Sequence, residues 1–179
     1  MKYLNTAFQQ LEFAWKLYNY ALEGKISLNE LDKPLTFQEG GSVLVLQDKI
    51  FNSPDDLILA FENNLTIAFG AAAITLNRCR EEAGIELADP IITEIDQFAA
   101  VSYQIRNAFA HDIAEPRWEI TKARYKRQYE FGGIRVDLTN VDSKEFEYKD
   151  ISGPEVLVMM KRYAEQHVWP TPSIKKQPL

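Results

Sequence analysis

A long apolar segment in the middle of the sequence constrains the fold more than any other feature. From Leu57 to Leu76 most of a helical projection is apolar, which is typical of a helix buried at the centre of a domain. The preceding residues 53–56, SPDD, supply an N-cap hydroxyl, a first-turn proline and two acidic side chains, and Gly84 follows as a stop. The pattern predicts a central helix from about Ser53 to Ala83.

The composition of the chain and the length of its apolar stretch exclude several classes of protein. The longest apolar stretch, residues 65–76, is shorter than the roughly 20 residues that span a bilayer, and no signal-peptide pattern opens the chain. The formal net charge of -6 argues against a protein that coats nucleic acid. The lone Cys79 and two separated histidines give no metal-binding spacing. We expect a cytoplasmic protein without membrane attachment, metal or cofactor.

Three further helices are predicted from periodicity and capping signals. The first runs from Thr6 to Leu22, the third opens at Asp89-Pro90, and the last follows the capping-box spacing of residues 152–155, SGPE, and runs to about His167. Residues 25–52 break the helical pattern, and "SVLVLQDKIF" within them fits either a short strand or an extended loop.

Between the third and last helices the hydrophobic period changes to two. Ile134, Val136 and Leu138 alternate with polar residues after Gly132-Gly133, and Phe146 and Tyr148 alternate with Glu and Lys. This pattern predicts a small antiparallel β insertion over about residues 118–150. The fold class expected is mainly α, an up-and-down helical bundle in one domain over residues 1–168, with an irregular tail over 169–179.

The third helix carries an unusual polar cluster near its end. With about 100° per residue, one apolar seam about 60° wide contains Ile91, Ile95, Phe98, Ser102, Ile105 and Phe109. Asn107 and His111 lie one turn apart and roughly 160° from the seam, and Arg106 lies at its edge. The three polar residues are therefore expected to face away from the core.

The face of the third helix opposite the seam is unlike an ordinary solvent-exposed surface. It carries small and aromatic side chains where Lys and Glu are usual: Ala99, Ala100, Tyr103 and Ala110. A second copy of the helix, related by a two-fold axis, fits this surface and would bring two Arg/Asn/His sets together. We expect a homodimer with this interface.

The spacing R-N-x-x-x-H of Arg106, Asn107 and His111, at the end of a helix in a small helical domain, resembles the HEPN superfamily. The resemblance covers about Thr6 to His167, with the β segment as an insertion. It implies a two-fold dimer with a composite cleft and, in active members, a metal-independent ribonuclease. Toxin members silenced by a nucleotidyltransferase antitoxin often carry tyrosine two residues after the histidine, and here that position is Ile113. Control by modification at that position is therefore not supported.

The residue types suit RNA cleavage without a metal ion. Histidine exchanges protons near neutral pH and arginine binds a phosphate with two hydrogen bonds, while Asn107 would orient the imidazole or hold the phosphate. The alternative interpretation is structural: Arg106 and His111 are cations near a helix C-terminus, where the helix dipole favours them, and Asn107 is only exposed.

A basic and aromatic stretch over residues 117–135 has two interpretations as well. Its cations include Lys122, Arg124, Lys126 and Arg127, and the aromatic residues Trp118, Tyr125, Tyr129 and Phe131 are interleaved in the same stretch, which suits guiding and stacking RNA. Lys and Arg also protect exposed sheet edges. Two functions remain open at this level: a homodimeric ribonuclease of a toxin–antitoxin or phage-defence kind, and a non-catalytic helical dimer that binds RNA, a nucleotide or a protein. A plain structural dimer is a third.

Overall fold

The computed structural model describes residues 2–31, 33, 35–46 and 49–169. Its architecture is mainly helical, as predicted, with helices α1 (Lys2–Leu22), α2 (Leu28–Leu31), α3 (Pro54–Glu82), α4 (Glu94–Ala108) and α5 (Glu155–His167). Two antiparallel hairpins complete it: β1 (Leu35–Glu39) with β2 (Ser42–Leu46), and β3 (Gln128–Phe131) with β4 (Ile134–Asp137). The described residues form two compact units, one within residues 9–68 and the other within residues 1–8 and 69–179. The predicted tail over 169–179 lies, except for Trp169, outside the described residues.

The unit of residues 9–68 contains the segment whose structure the sequence left open. Ser42–Leu46 is a strand and pairs with β1 in a register that places Leu35 opposite Leu46 and Phe37 opposite Leu44. Gly40 occupies the left-handed region, at φ +58°, in the turn between the strands. All ten hairpin residues are exposed, so the hairpin adds little to the core of this unit.

The N-terminus of α3 is capped as the sequence predicted. The Ser53 hydroxyl accepts a hydrogen bond from the Asp56 backbone N–H at 3.2 Å, and the Asp56 carboxylate accepts one from the Ser53 N–H at 3.1 Å. By length and composition α3 is also the one described helix apolar enough to cross a membrane, with 39% of its most apolar window buried. Core helices of soluble proteins pass the same test, so this finding is weak evidence about location.

In the unit that carries the polar cluster, α4 begins later than expected. Asp89-Pro90 forms a cis peptide in the preceding loop, and the helix begins at Glu94 after the N-cap Thr93. Thr93 and Asp96 make a capping box, in which each side chain accepts a hydrogen bond from the other residue's backbone N–H. These bonds hold the pKa of the Asp96 carboxyl below its usual value. This local satisfaction of the first turn sets the start of the helix.

The β insertion is confirmed in part. β3 and β4 pair with Phe131 opposite Ile134 and Tyr129 opposite Val136, as the alternation predicted. The second predicted alternating segment is not a strand: Arg117 and Glu145 form one isolated bridge, and residues 148–151 form a 3₁₀ helix. The side chains of Phe146 and Tyr148 instead pack into an aromatic cluster with Phe69, Phe109 and Trp118, with ring centroids 4.9 to 5.7 Å apart.

The last helix, α5, has the predicted extent but not the predicted cap. Pro154 is its N-cap residue and makes no side-chain capping bond. Ser152 lies in the left-handed region, and its hydroxyl donates to the Arg135 carbonyl at 2.8 Å instead of capping α5. The apolar face of α5, with Val156, Met160 and Tyr163, is buried as expected.

Candidate functional site

The buried surface of α4 extends beyond the single apolar seam that the sequence predicted. Phe98, Ile105 and Phe109 are buried as predicted, and Val101, Gln104 and Ala108 are buried as well. Phe98 packs against Phe131 and Tyr163, so β3 and α5 cover this helix in addition to α3. The helix is therefore enclosed on more sides than a two-sided projection predicts.

This burial corrects the predicted dimer surface. Ala99 and Ala100 are 0% and 1% exposed within the single chain, so they are not on a surface that a second copy can reach. Tyr103 is half-buried, and its ring lies 5.9 Å from that of Tyr125 in the same chain. Of the four predicted interface residues, only Ala110 is exposed. The expectation that this helical face is exposed was wrong for the two alanines.

Arg106 and Asn107 lie in the last turn of α4 and contact each other. Both are half-buried, and the Arg106 guanidinium donates to the Asn107 side-chain oxygen through Nη1 at 3.1 Å. This bond leaves most of the guanidinium donors without a partner among the described residues. The pair therefore presents a cation at the helix C-terminus, where the helix dipole stabilises positive charge.

His111 lies just beyond the end of the helix, in a turn that follows Ala108. The Phe109 and Ala110 backbone N–H groups donate to the Arg106 and Asn107 carbonyls at 3.3 and 3.1 Å and close the helix. The His111 side chain is 76% exposed, and its Nε2 lies 3.2 Å from the Glu119 carboxylate. Within the described part of the chain, no hydrogen bond joins His111 directly to the Arg106–Asn107 pair.

The turn that carries His111 is held by local hydrogen bonds. The Asp112 carboxylate accepts from the backbone N–H groups of Ala114 and Glu115 at 2.9 and 3.0 Å. These bonds lower the pKa of the Asp112 carboxyl below its usual value. On the inner side, Phe109 and Ile113 lie directly over Gly70 of α3, close enough that any side chain there would clash. The turn is thus fixed from both sides.

Glu119 is the site residue that the sequence interpretation missed. Its neighbours Trp118 and Ile120 are both 0% exposed, while Arg117 and Glu119 point outwards, as in an extended segment. The Trp118 N–H and carbonyl bond to the backbone of residues 144 and 143, and its indole donates to the Asp150 carboxylate at 2.9 Å. The alternation of buried and exposed residues over 117–120 could have indicated which way Glu119 faces, but the contact with His111 depends on tertiary packing.

The four predicted RNA-binding cations behave differently from one another. Arg124 contacts the Asp89 carboxylate at 2.5 Å and the Tyr125 hydroxyl at 2.8 Å. Lys126 contacts Asp142 at 2.8 Å, and Arg127 donates to the Ile91 carbonyl at 3.2 Å. The Lys122 side chain is exposed and has no hydrogen-bonding partner among the residues that the structure describes. Three of the four cations therefore tie this segment to the rest of its unit.

A polar cleft of about 600 Å³ lies away from the Arg106–His111 turn, along the β3–β4 hairpin. Its polar side chains bond to their neighbours: Gln97 accepts from the Glu130 N–H, Arg135 contacts Glu130, and Gln128 donates to Asp137. It offers no unpaired buried group to a ligand. Across the described residues, no three His, Cys, Asp or Glu side chains cluster in a way that could hold a metal ion.

Comparison with protein-family models, curated proteins and solved structures finds no match to this chain.

Proposed function

We propose that this chain is a ribonuclease of HEPN-like character, in which His111 transfers protons and Arg106 binds the scissile phosphate. The observation that carries the proposal is the placement of these two groups at one end of α4: an exposed imidazole in contact with a carboxylate, five residues after a guanidinium with free donors. An imidazole with a carboxylate partner is a suitable general base, and a guanidinium is a suitable phosphate ligand.

The reaction proposed is an internal transfer within RNA. His111 removes the proton of a ribose 2′-hydroxyl, the 2′-oxygen bonds to phosphorus, and the bond from phosphorus to the 5′-oxygen breaks. The leaving 5′-oxygen takes up one proton, so the products are a 2′,3′-cyclic phosphate and a 5′-hydroxyl. Arg106 donates to the phosphate oxygens as charge develops on them. Asn107, bonded to Arg106, orients the guanidinium rather than the imidazole.

The proton for the leaving oxygen requires a second acid. One chain supplies one imidazole at this site, because His167 lies at the end of α5 and stacks on Tyr163 at 4.7 Å. A two-fold dimer that brings two Arg106–His111 turns together would supply the second imidazole. Ala110, exposed beside the turn, is the part of the predicted interface that remains accessible.

A non-catalytic dimer that binds RNA or a protein is the second candidate. The observation that favours a protein partner over RNA is that most of the expected cationic surface is internally paired: Arg124, Lys126 and Arg127 contact groups of their own chain. In that case the Arg106–His111 turn would contact a partner without cleaving it. A role in a toxin–antitoxin or defence system, with a nucleotidyltransferase antitoxin as one possible partner class, belongs to either candidate.

The test is cleavage of a mixed-sequence RNA by the purified protein in EDTA, with the 3′ ends of the products analysed. The wild type is expected to form 2′,3′-cyclic phosphates, and His111→Ala and Arg106→Ala are each expected to lose on the order of 10²- to 10⁴-fold in rate. His167→Ala and Arg162→Ala are the matched controls, since they remove the same side chains far along the sequence on α5. Equal rates for His111→Ala and wild type would mean that the activity is not this site's, and no cleavage by wild type would favour the binding function.

A further inference from the structure

We infer that Glu119 is the positioning residue for His111: its carboxylate accepts the Nε2 hydrogen, which leaves Nδ1 as the ring nitrogen that meets the substrate. The inference rests on the proposed function for its role in catalysis, but the ring orientation itself can be tested without RNA.

The geometry is direct. Glu119 Oε2 lies 3.2 Å from His111 Nε2, within ion-pair distance and at the long end of the N–H···O hydrogen-bond range. A neutral imidazole has one N–H donor and one acceptor nitrogen. Since a carboxylate only accepts, the nitrogen it contacts must be the donor. The other nitrogen, Nδ1, is then the one with a free lone pair and the proton acceptor in the reaction.

The segment that carries Glu119 is fixed, which a positioning residue requires. On one side of it the Trp118 N–H and carbonyl are both hydrogen-bonded, and on the other the Ile120 N–H donates to the Asp142 carboxylate at 2.8 Å. Trp118 and Ile120 are themselves buried. The hydrogen bonds of Trp118 and Ile120 therefore hold the Glu119 backbone in place, and its side chain keeps rotational freedom.

Two other charged side chains near the turn already have partners of their own. The Asp112 carboxylate accepts two backbone N–H groups of its own turn, and Arg117 pairs with Glu145 at 2.7 Å. Among the described residues, Glu119 is the only carboxylate in contact with the His111 ring. Because both side chains are more than half exposed, the contact adds little to folding stability. The main effect of the Glu119 contact is therefore to orient the His111 ring.

The test uses the ring nitrogen that a neutral alkylating agent modifies. Wild type, Glu119→Ala and Glu119→Gln are treated with iodoacetamide, and the His111 peptide is analysed for Nδ1 or Nε2 substitution. We expect substitution at Nδ1 in the wild type and a shift to Nε2 in Glu119→Ala. Glu115→Ala is the matched control, because it removes an exposed carboxylate from the same turn. In each protein, alkylation of His167 is the internal control. The same ratio of substitution in wild type and Glu119→Ala would overturn the inference.

Kinetics separate this inference from the proposed function. If wild type cleaves RNA, Glu119→Ala should lower kcat on the order of tenfold and leave KM unchanged, because the carboxylate acts on the base and not on the bound substrate. A normal kcat in Glu119→Ala would overturn the catalytic role. A shifted alkylation pattern together with no cleavage by any variant would support the orienting contact and refute the ribonuclease.

Discussion

Gly70 of α3 lies directly under the ring of Phe109, so close that a Cβ at residue 70 would stand 2.5 Å from Phe109 Cδ1 and 2.8 Å from Ile113 Cγ1. Phe109 and Ile113 are the residues on either side of His111 that anchor its turn. The absence of a side chain at residue 70 is therefore a condition for the position of the turn that carries His111, and the contact couples α3 to the proposed site.

Gly70→Ala is expected to destabilise the protein and to reduce RNA cleavage. Overpacking in a core costs about 1–3 kcal/mol, while alanine in a helix returns up to about 1 kcal/mol. With the full helix gain subtracted, we expect a net loss of up to about 2 kcal/mol in the free energy of unfolding, measured in urea. Ala71→Leu, at the exposed neighbouring position, should change it by less than about 0.5 kcal/mol. A more stable Gly70→Ala protein would show that Phe109 and Ile113 can move aside.

The helices could be predicted from the sequence where their signals are local. Ser53 and Asp56 cap α3 through neighbouring backbone groups, so four residues contain the whole signal. The start of α4 was misplaced because Asp89-Pro90 also looks like a helix start, and the box that caps the helix uses Asp96 where the usual pattern has Glu or Gln. Both Asp89-Pro90 and the Thr93–Asp96 box resemble a helix start, and the sequence alone does not show which one begins α4.

The site could be predicted only in part, because its remaining features depend on tertiary packing. A helical projection assumes one buried side, but the Glu130 backbone N–H of β3 donates to the Gln97 side-chain oxygen of α4 at 2.7 Å, while Phe109 packs on Phe69 of α3 with ring centroids 5.6 Å apart. Burial of Ala99 and Ala100 follows from such enclosure and leaves no periodic signal. The contact of Glu119 with His111 likewise requires the aromatic cluster to place Trp118, which no spacing in the sequence shows.

The Asp142 carboxylate is expected to contribute stability that is lost in acid. Its hydrogen bonds from Lys126 and from the Ile120 N–H hold its pKa below the usual 3.8. The folded state therefore binds this proton less readily than the unfolded state, so the stabilisation is full above pH 3.8 and disappears as pH falls through the lowered pKa. Asp142→Asn should thus differ most from wild type at neutral pH and converge with it in acid. Urea unfolding across this range, with the exposed Glu62→Gln as control, measures the difference.

Tyr129 is expected to limit stability in alkali. Burial raises the pKa of its hydroxyl from 10.0 to about 12, and that hydroxyl donates to the Tyr125 carbonyl at 3.0 Å. The unfolded state loses this proton first, so the contribution to stability is full below pH 10 and is lost as pH rises towards about 12. Tyr129→Phe should be less stable by about 1 kcal/mol at neutral pH, through loss of the hydrogen bond, and the gap should close in alkali. A gap that stays constant between the two pH values would mean that the tyrosine ionises in the folded state as freely as in the unfolded one.

Lys122 and Arg124, only two residues apart, are expected to separate RNA binding from folding. Lys122 is exposed and unpaired among the described residues, whereas Arg124 holds Asp89 and the Tyr125 hydroxyl. A lysine that contacts a phosphate releases counterions, so Lys122→Ala should reduce the salt dependence of RNA affinity by about one contact and leave the melting temperature unchanged. Arg124→Ala should instead lower the melting temperature, because it removes a partner of the Asp89 loop and of Tyr125, and should leave the salt dependence unchanged. Fluorescence anisotropy at several salt concentrations, in a His111→Ala background that the proposed mechanism expects not to cleave RNA, measures the first effect, and thermal unfolding measures the second. If Arg124→Ala weakened the salt dependence without lowering the melting temperature, its ion pair with Asp89 would have to open to admit RNA, and the RNA-contacting surface would include Arg124 as well as Lys122.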